Sequence, residues 1–191
     1  MGKPGGACLA LGGFKRGGRR HLFVRVVPFL LIFWGVFVGY PLFAKSANDN
    51  MKVDRILVEK SKRRLTLFAS KKVLKVYRIA LGKNPVGPKV RQGDGKTPEG
   101  VYRIDYRNSK SHYYLSLHIS YPNAEDIQRA KELDVPPGGD IMIHGLKNGF
   151  GWLGPLHRLF DWTDGCIAVT NSEIKEIWHL VPDGTLVEIR P

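Results

Sequence analysis

The stretch VYRIDYR, Val101 to Arg107, alternates Tyr102, Ile104 and Tyr106 with Arg103, Asp105 and Arg107. Side chains leave the two faces of a β-strand in turn, so a period of two reads as a strand with one face on a core and the other in water. The same pattern recurs on both sides. Downstream, Leu115, Leu117 and Ile119 alternate with Ser116, His118 and Ser120, and upstream Leu65, Leu67 and Ala69 alternate with Arg64, Thr66 and Phe68. Strands are expected at Asp54–Glu59, Arg64–Ala69 and Val73–Ala80, separated by turns of Ser, Lys and Arg. A loop rich in Gly, Pro and Lys runs from Gly82 to Gly100. Two further strands, Asp140–His144 and Thr185–Ile189, follow the breakers Pro136-Pro137-Gly138-Gly139 and Pro182-Asp183-Gly184. Ala124–Leu133 reads as a short helix, Pro155–Phe160 as a helical turn, and the capping-box pair Thr170 and Glu173 opens a helix to Leu180. This count predicts a mainly β fold with short helices, a β-rich barrel or sandwich carrying its helices at the edges.

The 191 residues are 43% hydrophobic and 25% charged, enough apolar side chain for one packed domain. The net charge of +13 is unevenly spread. Residues 1–45 hold seven bases and no acid, while the rest holds 23 bases against 17 acids. A modestly basic domain suits an anionic polymer. The bases are scattered over strand-like runs, with neither a recognition-helix pattern nor zinc-finger spacing, so no nucleic-acid partner is expected. From Val26 to Ala44 the chain is uncharged and apolar, behind a basic run ending at Arg25. That is the pattern of a secretory signal peptide, and its length also suits a membrane anchor. Pro28 and Pro41 favour the signal, and the bulky Leu42 before Ala44 favours retention. Either way, the expected location is periplasmic or exported, with membrane contact only through residues 26–44. The expected division is a signal or anchor over 1–45, a polar linker over 46–51 and a folded domain over 52–191.

Two short segments carry candidate chemistry. IMIHG, Ile141 to Gly145, ends a strand with His144 ahead of a glycine, and TDGCIAV, Thr163 to Val169, sets Cys166 between Gly165 and a capped helix. Nucleophilic catalysis by cysteine requires the thiolate, which a nearby imidazole generates by taking the proton. Backbone N–H groups around Gly165 and Cys166 can serve the oxyanion, because glycine permits a sharp turn close to substrate. Plain alternatives stand beside this reading: a cysteine next to Ile167 also suits core packing, and a histidine after apolar residues is commonly structural. One cysteine in the domain and no close histidine pair offer too few ligands for zinc, and neither metal nor cofactor is expected.

Four further runs lie in order along the chain: GDGKTPEGVYRI (Gly93 to Ile104), SLHISYPN (Ser116 to Asn123), PPGGDIMIHG (Pro136 to Gly145) and WTDGCIAVTN (Trp162 to Asn171). Through them the stretch from Ile56 to Arg190 resembles the YkuD-type L,D-transpeptidase family, and within it the YafK/ErfK-like branch. The resemblance implies a YkuD fold and a cysteine acyl-transfer reaction on peptidoglycan tetrapeptide stems. In that reaction the thiolate attacks the carbonyl after diaminopimelate, D-alanine leaves, and an amine or water resolves the acyl-enzyme. It implies Cys166 as nucleophile and His144 as base. Gly145, Asp164 and Gly165 become the backbone support and oxyanion border, and Thr97 to Gly100 a structural turn. The implied partners are stem peptides and a wall-linked lipoprotein. Hydrolysis of peptidoglycan or of wall–lipoprotein links on the same scaffold is the alternative activity, and a wall-binding protein without turnover the alternative outside enzymes. Two positions depart from the common family text: Asp164 replaces a histidine before the Gly-Cys pair, and Ala168 replaces an arginine after it. Losing that arginine removes a partner for a substrate carboxylate. The hold on substrate is therefore expected from Lys89, Arg91 and Lys96 in one loop and from Trp152 in the Asn148–Phe160 insertion, which either covers the cleft or packs on the barrel.

Overall fold

A computed structural model describes residues 52–191, so the expected signal or anchor and the linker lie outside the described residues. Eight strands, β1 (Arg55–Glu59), β2 (Arg64–Ala69), β3 (Lys72–Arg78), β4 (Gly100–Asn108), β5 (Ser116–Ile119), β6 (Met142–His144), β7 (Ile167–Ala168) and β8 (Leu186–Arg190), make one sheet. Helices α1 (Ala124–Glu132) and α2 (Asn171–Leu180) and a 3-10 segment, Gly151–Leu159, complete the fold. The sheet order is β3-β2-β1-β8-β4-β5-β6-β7, antiparallel except for the pairs β1/β8 and β6/β7. The two ends of this order meet. Just past β3, Ala80 N–H donates to the Ala168 carbonyl at 3.0 Å and Ala168 N–H to the Ala80 carbonyl at 2.9 Å. The sheet thus curls back on itself, as a β-rich half-barrel whose seam lies beside β7.

The alternating residues explain the core. Leu65, Leu67, Ile104, Leu117 and Ile119 are fully buried, and Ile56, Val58 and Val187 join them from the neighbouring strands. Burying each such side chain is worth about 1.5–3 kcal/mol. Helix α2 adds Ile174 and Ile177 from one face.

Departures from simple alternation have local causes. Tyr106 lies at a register irregularity between β4 and β5 and turns outward, stacking on His118 at 4.3 Å. β3 ends at Arg78 because the buried residues Ile79, Ala80 and Leu81 leave the β2 ladder to reach β7. β6 begins at Met142 instead of Asp140, since Asp140 takes the left-handed φ of 54° and breaks the extended run. α1 opens on a second capping box, Asn123 with Asp126, in addition to the expected one at Thr170 and Glu173.

The Gly82–Gly100 loop is pinned from beneath by buried Lys60. Its Nζ donates to the carbonyls of Gly87 (2.7 Å) and Thr97 (2.9 Å) and to Glu99 Oε1 (2.7 Å). The hydroxyl of the fully buried Thr97 accepts from Gly82 N–H at 3.0 Å. The Thr97–Gly100 turn is thus bound into the scaffold on several sides.

Candidate active site

The parallel pair β6/β7 sets Ile143 opposite Ile167 and His144 opposite Ala168. Ile143 and Ile167 are fully buried in the core. With a period of two, His144 and the residue preceding β7, Cys166, leave the sheet on the other face. Both line one cavity of about 450 Å³, together with Ser111, Tyr113, Ser116, Asp140, Trp162 and Asp164.

His144 is 4% exposed, packed against the ring of Tyr113 at 4.6 Å and edge-on to Trp162 at 5.8 Å. Its Nδ1 lies 2.6 Å from the Gly145 carbonyl oxygen. A carbonyl only accepts, so Nδ1 carries the proton and Nε2 keeps a lone pair. Burial pushes the imidazole pKa down to about 4, against the opposing pull of the Gly145 carbonyl. At neutral pH this ring is an uncharged base.

Cys166 is half-buried, and its thiol donates to the Asp140 carbonyl at 3.5 Å. Burial raises its pKa, and the carboxylates of Asp164 and Asp140 add to the rise. A hydrogen bond from the Met142 backbone and the Lys89 ammonium work the other way. The resting pair is a neutral thiol and a neutral imidazole, so proton transfer belongs to the moment of attack and not to a stored ion pair.

The turn before Cys166 is built for closeness. Gly165 has a φ of 135°, and a Cβ there would stand 2.6 Å from the Lys96 carbonyl oxygen. Both facts demand glycine. Thr163 ties the turn internally: its hydroxyl accepts from Gly165 N–H at 3.2 Å and donates to the Cys166 carbonyl at 2.7 Å. A second cleft of about 280 Å³, lined by Lys89, Gln92, Gly138, Gly139, Asp140 and Asp164, also reaches Cys166. Cys166 therefore lines two clefts.

The structure brings His144, Cys166, Gly165 and Asp164 together, with Gly145 behind the histidine. Asp164 turns to solvent, where Lys83 Nζ meets it at 2.8 Å. Lys89 borders the second cleft, yet its Nζ is buried and held by Asp94 (2.8 Å) and the Arg91 carbonyl (3.1 Å). Arg91 and Lys96 line a different cleft of about 550 Å³ with Asn84 and Leu133. Trp152 is 76% exposed on the 3-10 segment and lines neither cleft beside Cys166. The insertion instead packs Phe150, Leu153, His157 and Phe160 around a separate apolar pocket of about 260 Å³ that reaches Trp162. Among the described residues no three His, Cys, Asp or Glu side chains are grouped to hold a metal ion, and no helix is long and apolar enough to cross a membrane. Sequence reasoning missed Tyr113 and Asp140. Asp140 lies inside the PPGGDIMIHG run, where nothing marks it for the cavity, and Tyr113 lies outside every motif; only the folding of the chain brings them there. Thr163 lies within the WTDGCIAVTN run, where its residue type alone does not mark it as the brace of the turn.

A family model described as the L,D-transpeptidase catalytic domain, YkuD, matches residues 53–189. The chain belongs to the YkuD family. The YafK protein of Escherichia coli strain K12, which carries a provisional L,D-transpeptidase name, is 34% identical over 142 residues, 71% of this chain and 50% of that protein. The chain thus spans about half the length of the curated relatives it matches. Among solved structures, the helical cell shape determining protein Pgp2 of Campylobacter jejuni is 25% identical, with a TM-score of 0.56 over 74% of this chain and 48% of that one. Bd1075 of Bdellovibrio bacteriovorus is 28% identical, with a TM-score of 0.52 over 73% and 48%. YkuD membership accounts for the curled sheet.

Proposed function

We propose that this domain is an exported peptidoglycan L,D-transpeptidase working through an acyl-enzyme on Cys166. The observation that carries the proposal is the shared cavity, in which a neutral imidazole with its Nδ1 fixed faces the same space as an unpaired thiol. The Cys166 thiol attacks the carbonyl of a stem-peptide amide while its proton passes to His144 Nε2. The tetrahedral oxyanion collapses, the C–N bond breaks, and the imidazolium returns the proton to the departing amine of D-alanine. Gly165 N–H is engaged by Thr163, and Cys166 N–H is a donor on this turn that can serve the oxyanion. An acceptor amine from a second stem, or water, then cleaves the thioester and restores the thiol. The two clefts that Cys166 lines offer room for donor and acceptor. Residues 1–45 supply export, as a cleaved signal or a retained anchor.

The test is intact-mass analysis of purified protein incubated with tetrapeptide muropeptides. The expected result is an adduct on Cys166 with release of D-alanine, absent in Cys166→Ala and slowed at least about a hundredfold in His144→Ala. Cross-linked products identify the transpeptidase, and shortened monomers alone identify the hydrolase. A protein that binds these stems without ever forming an adduct is a wall-binding module, and the proposal fails.

A further inference from the structure

We infer that Asn171 is a positioning residue for His144, acting through the peptide unit between Gly145 and Leu146; this rests on the reading of His144 as the base. Asn171 is the first residue of α2, and its Oδ1 accepts from Leu146 N–H at 2.8 Å. That N–H and the Gly145 carbonyl that receives His144 Nδ1 at 2.6 Å belong to the same peptide. A peptide unit is rigid and planar, so fixing its N–H end fixes the direction of its C=O end. Hydrogen bonds in series also polarise one another, so a bond at the N–H end strengthens the carbonyl as an acceptor. The chain of contacts runs from Asn171 Oδ1 to Leu146 N–H, across the peptide to the Gly145 carbonyl, and on to His144 Nδ1–H. Its result is the tautomer with a free lone pair on Nε2.

Two glycines clamp the amide in this role. A Cβ on Gly145 would stand 2.7 Å from Asn171 Oδ1, and a Cβ on Gly151 would stand 2.6 Å from Asn171 Nδ2. A side chain at either glycine would displace the amide, so the backbone at both positions approaches it closely, while Leu146 N–H holds its oxygen. The orientation of the amide follows from its partner, since Leu146 N–H requires the oxygen. The same short run of chain carries the nucleophile: Cys166 leads into β7, Val169 N–H donates to the His144 carbonyl at 3.0 Å, and Thr170 caps α2. One segment therefore sets Cys166 at one end and, through Asn171, the ring of His144 at the other. The chemistry asked of position 171 is an acceptor at the γ position. Asp supplies it and is welcome in the first turn of a helix, whereas the similarly sized Leu does not.

The experiment compares wild type, Asn171→Leu and Asn171→Asp in single-turnover acylation by a tetrapeptide muropeptide, alongside ¹⁵N NMR of the His144 ring. For Asn171→Leu we expect kcat to fall about tenfold to a hundredfold with KM within about twofold, while Asn171→Asp stays within about threefold of wild type. The wild-type ring should show a protonated Nδ1 and a bare Nε2 at neutral pH, as should Asn171→Asp, and Asn171→Leu should show a mixture of tautomers. A merely structural tie between the loop and α2 would lower the melting temperature of Asn171→Leu and leave the tautomer unmoved. Unchanged kcat in Asn171→Leu, or equal losses in both variants, overturns the inference. So does a wild-type ring protonated on Nε2, whatever the variants do and whether or not Asn171→Leu folds. Absence of any wild-type adduct on Cys166 instead sinks the acyl-enzyme reading, and the tautomer measurement still judges Asn171.

Discussion

The frame of the domain and its working edge are held together differently. In the frame, β1 pairs five residues with β2 and five with β8, a continuous ladder over a fully apolar inner face. At the working edge, β6 and β7 share two residue pairs, Ile143 with Ile167 and His144 with Ala168. What the short ladder lacks is made up by single bonds: Thr163 bracing the Gly165 turn, Asp140 receiving the thiol, the Gly145 carbonyl holding His144. The frame tolerates error because many equivalent contacts share the load, whereas each bond at the edge has one function and no substitute.

The largest effect should appear when one residue from each region is changed in parallel. Leu67→Ala opens a cavity in the frame and should cost about 2–5 kcal/mol of stability, leaving acylation by the folded fraction at the wild-type rate. Gly165→Ala forces a side chain toward the Lys96 carbonyl at a φ of 135°. Moving Cys166 by about 1 Å is enough to cost about a hundredfold in rate. Thermal melts read the first change and time-resolved intact mass the second. Wild-type acylation by Gly165→Ala would show that the edge shares the tolerance of the frame.

The same contrast explains how much could be read from the chain. β2, β4, β5, α2 and its Thr170 cap were legible because an apolar face repeats every second residue or every turn, and burial rewards that repeat directly. β7 was not: a strand of two residues, Ile167 and Ala168, has no period. His144, Gly165 and Cys166 were legible because their motif text is distinctive. The basic residues Arg91 and Lys96 were drawn toward the site by charge and loop position alone, and the fold sends them to another cleft. Lys89 comes nearer, but Asp94 already holds its ammonium. Formal charge in a sequence does not reveal which cations are internally paired.

A smaller effect separates the regions by pH. Burial lowers the pKa of His144 to about 4, and burial with the neighbouring Arg158 lowers that of His157 to about 4. The unfolded chain takes up these protons near the ordinary value of 6.5, while the folded chain resists until about 4. The unfolded state therefore binds more protons inside this window, so stability falls as pH drops from 6.5 toward 4, by up to about 1.4 kcal/mol per pH unit for each group. Glu176 and Asp94, whose pKa values lie below their ordinary 4.5 and 3.8, add their own losses only at lower pH. Urea unfolding between pH 5 and 7 should show the slope, and His157→Gln should remove about half of it. An unchanged slope in His157→Gln would mean that the insertion releases its histidine to water. His144 stays uncharged through the window, so acylation by the folded fraction should keep its base until about pH 4.

The smallest effect belongs to the most exposed charge at the edge. The Asp164 carboxylate raises the Cys166 pKa, but only behind burial, and Lys83 meets it at 2.8 Å with both side chains largely in water. A solvated pair of this kind is worth at most about 1 kcal/mol and weakens with salt. Asp164→Asn removes the negative charge and keeps the side chain nearly the same size. The pH profile of Cys166 alkylation by iodoacetamide should then move toward lower pH by a fraction of a unit, with stability unchanged. Because the shift is Coulombic, the variant and wild type should converge as ionic strength rises toward 1 M, where the screening length is about 3 Å. A shift that persists at high salt would instead mean that Asp164 acts through the shape of the Thr163–Cys166 turn. Position 164 would then join Gly165 among the residues that hold the sulfur in place, and its carboxylate would matter for where it sits more than for its charge.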